Sequence, residues 1–296
     1  MRSTVLTRWE HLRELTGGSQ QHVRSVRAYL ASHPAVLYYG DSWFSTPLYR
    51  NLAQQSAEAI DGIRMIVGKP GAQAKELFDN KSASDLTARV KAFPFDVVAL
   101  SAGGNDVLSA RLKVFFKPWM EGKKAKLSAD AAFASLLEQG AFERIAERYR
   151  HMLKSLQSLN SSKRQLRVVG HGYLPLHVIG KPGDLSIKNI GLIAILKDDV
   201  GPWLYGPMKR VLEDPASAKE FATLLLVDGF KKRVLDVLSR EFHGFFSAAD
   251  LRGAKLNNDQ YWYDEIHPTE AGFARCVPSF NAEIRAAIPK SKQQTG

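Results

Sequence analysis

The sequence predicts an α/β fold in which a parallel sheet of about five strands is covered by helices on both faces. Two observations carry this expectation. Short apolar runs rich in β-branched residues alternate with longer stretches of helical periodicity, an order that builds a parallel sheet. No internal repeat, low-complexity tract or linker composition divides the 296 residues, so a single domain over 1–296 is expected.

Residues 1–33 read as an N-terminal helical extension. Strands are expected at Ala35–Gly40, Ile63–Val67, Asp96–Ser101, Leu166–Gly170 and Phe245–Asp250. Helical patterns fall near Pro47–Ile60, Ala72–Phe78, Ser84–Phe93, Ala141–Leu159, Leu204–Leu212 and Lys219–Glu241. Ser84 is a candidate N-cap, because its hydroxyl can accept a free N–H of the first turn. The final helix is expected over Pro268–Ala287, since proline suits a first position where the N–H has no partner anyway. Two segments, 107–139 and 172–206, fit this alternation poorly. Each follows the carboxyl end of a strand, where long insertions tend to act as lids or substrate walls.

Composition excludes several classes. The one cysteine, Cys276, forbids an intramolecular disulfide, and it has no activating neighbour in sequence. The N-terminus is charged from Arg2 onward and lacks the apolar run of a secretory signal, so a cytoplasmic address is the default, with signal-less secretion as the alternative. No stretch approaches the roughly eighteen apolar residues of a membrane span. The net charge of +11 favours anionic partners such as a membrane or polysaccharide surface. The glycine-rich turns lack the lysine and hydroxyl of a P-loop and give no dinucleotide fingerprint. No cofactor or specific nucleic acid is expected. No histidine–carboxylate cluster has metal-ligand spacing.

Four features converge on one edge of the sheet. The first strand ends in Gly40-Asp41-Ser42-Trp43, and the second runs into Gly68-Lys69-Pro70-Gly71. The third runs into Gly103-Gly104-Asn105-Asp106, and Asp264-Glu265-Ile266-His267 follows the fifth. Reactive groups in open parallel sheets gather outside the carboxyl ends of the strands. A serine becomes nucleophilic when a base takes its proton, and histidine is suited to that near neutral pH. A carboxylate three residues before the histidine, Asp264, can fold back to fix its tautomer. Asp228 is the weaker candidate for that carboxylate.

In this order, Gly-Asp-Ser, an isolated glycine, Gly-Gly-Asn-Asp and Asp-x-x-His resemble the SGNH, or GDSL-type, hydrolases. The resemblance spans about Gly40 to Pro268 and departs at Trp43, where the family has leucine. It implies a flavodoxin-like three-layer α/β/α sandwich and metal-free hydrolysis of acyl esters, by an esterase or lipase. Ser42 would be the nucleophile, His267 its base and Asp264 the orienting acid. The oxyanion hole would comprise the Ser42 N–H, the Gly71 N–H and the Asn105 side chain, with Gly68 as the alternative to Gly71.

Other readings stay open at this point. A sugar O-deacetylase or thioesterase uses the same parts, and a non-catalytic binding protein for anionic polymers needs only the basic surface. Phe115, Phe116 and Trp119, set among lysines from Lys113 to Lys126, form either a packed lid or a lipid- or sugar-contacting surface. The isoleucines and leucines of Ile190–Leu196 form either the wall of an acyl pocket, leaning the substrate towards a lipid or medium-chain ester, or ordinary buried core. His171 and His177 lie near the rim as substrate contacts or as packing residues.

Overall fold

A computed structural model gives the fold; the described residues are 2–47, 49–162, 164–183 and 201–295. Six strands form one sheet: β1 (Thr4–Leu6), β2 (Ala35–Gly40), β3 (Ile63–Gly68), β4 (Val97–Ser101), β5 (Arg167–His171) and β6 (Phe246–Ala249). Every pairing is parallel, in the order β1-β3-β2-β4-β5-β6. Counted from β2, this is the flavodoxin-like order 2-1-3-4-5, with the chain reversing direction across the sheet between β2 and β4. The five expected strands are all present. The sixth, β1, lies inside the segment expected to be wholly helical, which otherwise forms helices Trp9–Thr16 and Gln20–Ser32.

Helices cover both faces. One layer pairs Leu52–Glu58 with Glu270–Ala287; the other packs Ala141–Gln157 against Asn80–Ala92 and the π-helical stretch Leu224–Leu235. The central strand is therefore closed on both faces, and Ala35, Val36, Leu37 and Tyr38 are fully buried. That is why the strand reads as an unbroken apolar run and not as an alternation.

Two helix starts differ from the sequence expectation. Ser84 lies inside Asn80–Ala92, whose cap is Asp79, with its carboxylate 2.7 Å from the Ser82 N–H. The last helix begins at Glu270, and Thr269 caps it by accepting the Gly272 N–H; Pro268 instead pairs across a short bridge with Trp262. In both cases the side-chain acceptor just ahead of the helix decides its start.

The segment 107–139 folds into three short helices, Ser109–Phe115, Lys117–Met120 and Ala129–Glu138. Phe115 and Phe116 are buried, and the partly buried Trp119 carries the Lys124 ammonium 4.3 Å from its ring centre. Its aromatic side chains thus face the core, leaving Val114 as the exposed apolar residue of this stretch. Ile190–Leu196 lies outside the described residues. Among those described, no helix is long and apolar enough to cross a membrane.

Candidate active site

The sheet register brings the site together. Gly40 of β2 stands opposite Gly68 of β3 on one side and Ser101 of β4 on the other. The residues that follow these three positions therefore leave the sheet at one edge, beside the switch between β2 and β4. Gly40 is required there, because a Cβ would lie 2.5 Å from the Ser101 carbonyl oxygen.

Directly after β2 the chain turns into a short helix, Ser42–Ser45, capped by Asp41, whose carboxylate accepts the Trp43 N–H at 3.1 Å. Ser42 is the first residue of that helix, so its N–H has no acceptor within it. Its Oγ lies 2.8 Å from Nε2 of His267, although the two residues are 225 positions apart in sequence. His267 Nδ1 lies 2.8 Å from Oδ2 of Asp264. A carboxylate only accepts, so Nδ1 carries the proton and the Nε2 lone pair faces the serine hydroxyl. The other Asp264 oxygen accepts the N–H groups of Ile266 and His267, at 2.8 and 2.7 Å. One carboxylate thereby fixes both the ring and the loop that carries it.

Burial sharpens this chemistry. Asp264 is 1% exposed, Ser42 8%, and the His267 side chain 15%. Burial by itself pulls the imidazole pKa down, but the Asp264 charge and its hydrogen bond outweigh that, so the pKa stands above its ordinary value of 6.5. Asp228 is no rival: it pairs with Lys232 along its own helix.

Asn105 sits on a 3₁₀ turn, Gly104–Val107, at the end of β4. Its Nδ2 donates to the Ala72 carbonyl at 2.9 Å, leaving a second N–H for the pocket. Gly103, just ahead, has φ +105°, and a Cβ there would meet the Phe230 ring at 2.4 Å. The pocket, about 20 Å³, is lined by Ser42, His267 and Asn105 together with apolar side chains such as Trp43, Leu108 and Leu226. Gly71 is not among its lining residues. It occupies the third position of a turn closed by Ala72 N–H to Lys69 C=O, where its φ of +73° suits the turn after Pro70. Asn105 is what ties that turn to the pocket.

Beneath Ser42 lies a network that sequence reasoning missed. Asp41 Oδ1 accepts from Ser101 Oγ at 2.7 Å, and Oδ2 accepts from the Tyr173 hydroxyl at 3.1 Å. Ser101 also lies 2.9 Å from Nε2 of His171, and the Tyr173 oxygen accepts the Gly104 N–H at 3.0 Å. His171 is buried, stacked on Trp43 and not among the residues lining the pocket. His177 pairs with Asp259 at 3.1 Å. The available signal was position: His171 closes β5 at the same rim as Ser42.

Glu265, inside the loop that carries Asp264 and His267, was also missed. Fully buried, it accepts the Gly180 N–H at 2.9 Å and the N–H groups of Leu204 and Tyr205. Cys276 is buried in the last helix, with its thiol pKa pushed up to about 12 by desolvation. Among the described residues no group of acids, histidines and cysteines is placed to hold a metal ion.

No protein-family model matches the sequence, and no curated protein matches it. Solved structures similar to it include an extracellular lipase from Streptomyces rimosus, at 15% identity and TM-score 0.47, covering 84% of this chain and 99% of that one. Another is phospholipase A1 from Streptomyces albidoflavus NA297, at 16% identity and TM-score 0.48, covering 84% and 99%. A third is a family 3 carbohydrate esterase from Clostridium thermocellum, at 12% identity and TM-score 0.45, covering 87% and 100%. These are distant likenesses.

Proposed function

We propose that this chain is a serine hydrolase of the SGNH type that cleaves acyl esters through an acyl-serine intermediate. The observation that carries the reading is the unbroken hydrogen-bonded sequence Ser42–His267–Asp264. Ser42 Oγ attacks the ester carbonyl as Nε2 of His267 takes its proton, and Asp264 stabilises the imidazolium. The Ser42 N–H and the free Asn105 Nδ2–H are the donors for the developing oxyanion. Gly71, the third donor expected from the sequence, stands in the turn that Asn105 ties to the pocket through the Ala72 carbonyl. His267 then protonates the departing alcohol, and a water activated by the same base releases the acid and regenerates Ser42.

The pocket favours a small acyl group over the lipid or medium chain that the apolar insertions suggested. A cavity of about 20 Å³ holds roughly one water-sized group. Its walls at Trp43, Leu108, Tyr173 and Leu226 suit a methyl. An acetyl ester, as in sugar O-deacetylation, is the small substrate this reading puts first. A series of p-nitrophenyl esters tests it: turnover should fall from acetate to butyrate to octanoate and vanish in Ser42→Ala. Full turnover in a folded Ser42→Ala protein would refute the assignment.

A further inference from the structure

A second cavity, about 270 Å³, adjoins the turn that carries Asn105. Asn105 lines the catalytic pocket, and the next residue, Asp106, lines this one. The floor is apolar, made by Phe115, Ala141 and Ile145. Around it stand four cations from three separate helices: Lys75, Arg111, Arg144 and Arg148.

None of the four is ion-paired among the described residues. Two are held by the aromatic floor instead: the Arg111 and Arg144 guanidinium carbons lie 5.6 and 5.5 Å from the centre of the same Phe115 ring. Arg144 is further fixed by a hydrogen bond to the Gln139 carbonyl. Two guanidinium groups drawn to one ring repel one another, and a bound anion would relieve that repulsion. The two lining carboxylates offset only part of the charge. Asp106 is engaged elsewhere, accepting the Ala74 N–H at 2.6 Å, and Glu147 is exposed to solvent.

We propose that this cavity is an anion subsite that binds a phosphate group, recruiting phosphorylated ester substrates to the neighbouring serine. Among the lining residues, four cations against two carboxylates leave a surplus of two positive charges, which matches a phosphate monoester dianion. Guanidinium forks suit its oxygens, and Phe115 and Ile145 offer a surface to the organic portion. The recruiting role rests on the serine hydrolase reading; the binding role does not.

The test separates the two. The intact protein is titrated with inorganic phosphate and with phenyl phosphate by calorimetry, and with vesicles of phosphatidic acid in phosphatidylcholine by co-sedimentation. It is compared with the Arg111→Gln/Arg148→Gln double variant and, separately, with Arg144→Gln, folding being checked by circular dichroism. Loss of charge-assisted hydrogen bonds should weaken phosphate binding by about tenfold or more in the double variant, while p-nitrophenyl acetate turnover stays unchanged. Binding of the soluble phosphates identifies a soluble ligand, and binding of the vesicles alone identifies a lipid headgroup. Absence of both, or equal binding by parent and variants, overturns the subsite. Phosphate binding by a protein that hydrolyses no ester would leave the subsite standing and remove only its recruiting role.

Discussion

The carboxylate of Glu265 accepts the backbone N–H of Gly180 at 2.9 Å. The same carboxylate also holds Leu204 and Tyr205, so one buried acid fastens both described ends of the second insertion to the loop bearing Asp264 and His267. The Glu265 N–H in turn donates to the Lys181 carbonyl, Lys181 Nζ to the Trp262 carbonyl, and the Trp203 ring stands edge-on to His267. The insertion and His267 are therefore positioned together.

Replacing Glu265 with glutamine turns an acceptor towards N–H groups into a partial donor. Leaving such buried groups unpaired costs about 1–3 kcal/mol. Glu265→Gln should lower thermal stability, speed limited proteolysis around Gly180 or Leu204, and reduce kcat for p-nitrophenyl acetate. Unchanged proteolysis and kcat would show that the clamp does not position the base.

In the proposed reaction the His267 pKa sets the acid limb of activity. The reaction needs the neutral imidazole, and its pKa is raised above 6.5 by the Asp264 charge and hydrogen bond against the opposing effect of burial. The kcat/KM should therefore rise with pH through a value above 6.5. In Asp264→Asn the limb should move down, because the raising charge is gone, with a fall in maximal kcat as the tautomer is lost. A pH–rate profile of both proteins checks the sign.

Asn105→Ala should reduce kcat by about 10²–10³-fold if Nδ2 faces the oxyanion. Steady-state kinetics on the acetate ester decide it. The same substitution frees the Ala72 carbonyl, so a small loss of thermal stability should accompany the kinetic effect.

Asp41 receives three donors, the Trp43 N–H and the hydroxyls of Ser101 and Tyr173. Asp41→Asn keeps the shape and sets an amide N–H₂ against one or more of them. A stability loss of about 1–3 kcal/mol is expected, read as a lower denaturation midpoint, with weaker activity because Asp41 caps the turn that carries Ser42.

Much of this was legible in the residues. β2 was read at its observed bounds, because a buried central strand leaves a dense apolar run ending at glycine. The convergence of Ser42, Asn105 and His267 was legible because parallel topology places strand ends at one rim, and all three line one pocket. β1 was invisible: three residues among charged neighbours give no period. Pro268 and Ser84 misled because a favourable first-turn residue is weaker than a true cap such as Thr269 or Asp79. Asp41 and Glu265 were overlooked because acids read as solvent-facing, and their roles depend on donors that only the folded chain assembles. Gly71 was placed by motif order; its observed conformation is explained by the turn after Pro70.

The most direct measurement is covalent labelling with a fluorophosphonate followed by peptide mapping. The account predicts a single adduct on Ser42, formed by the parent protein and greatly slowed in His267→Ala. An adduct elsewhere, or none on folded protein, would contradict it.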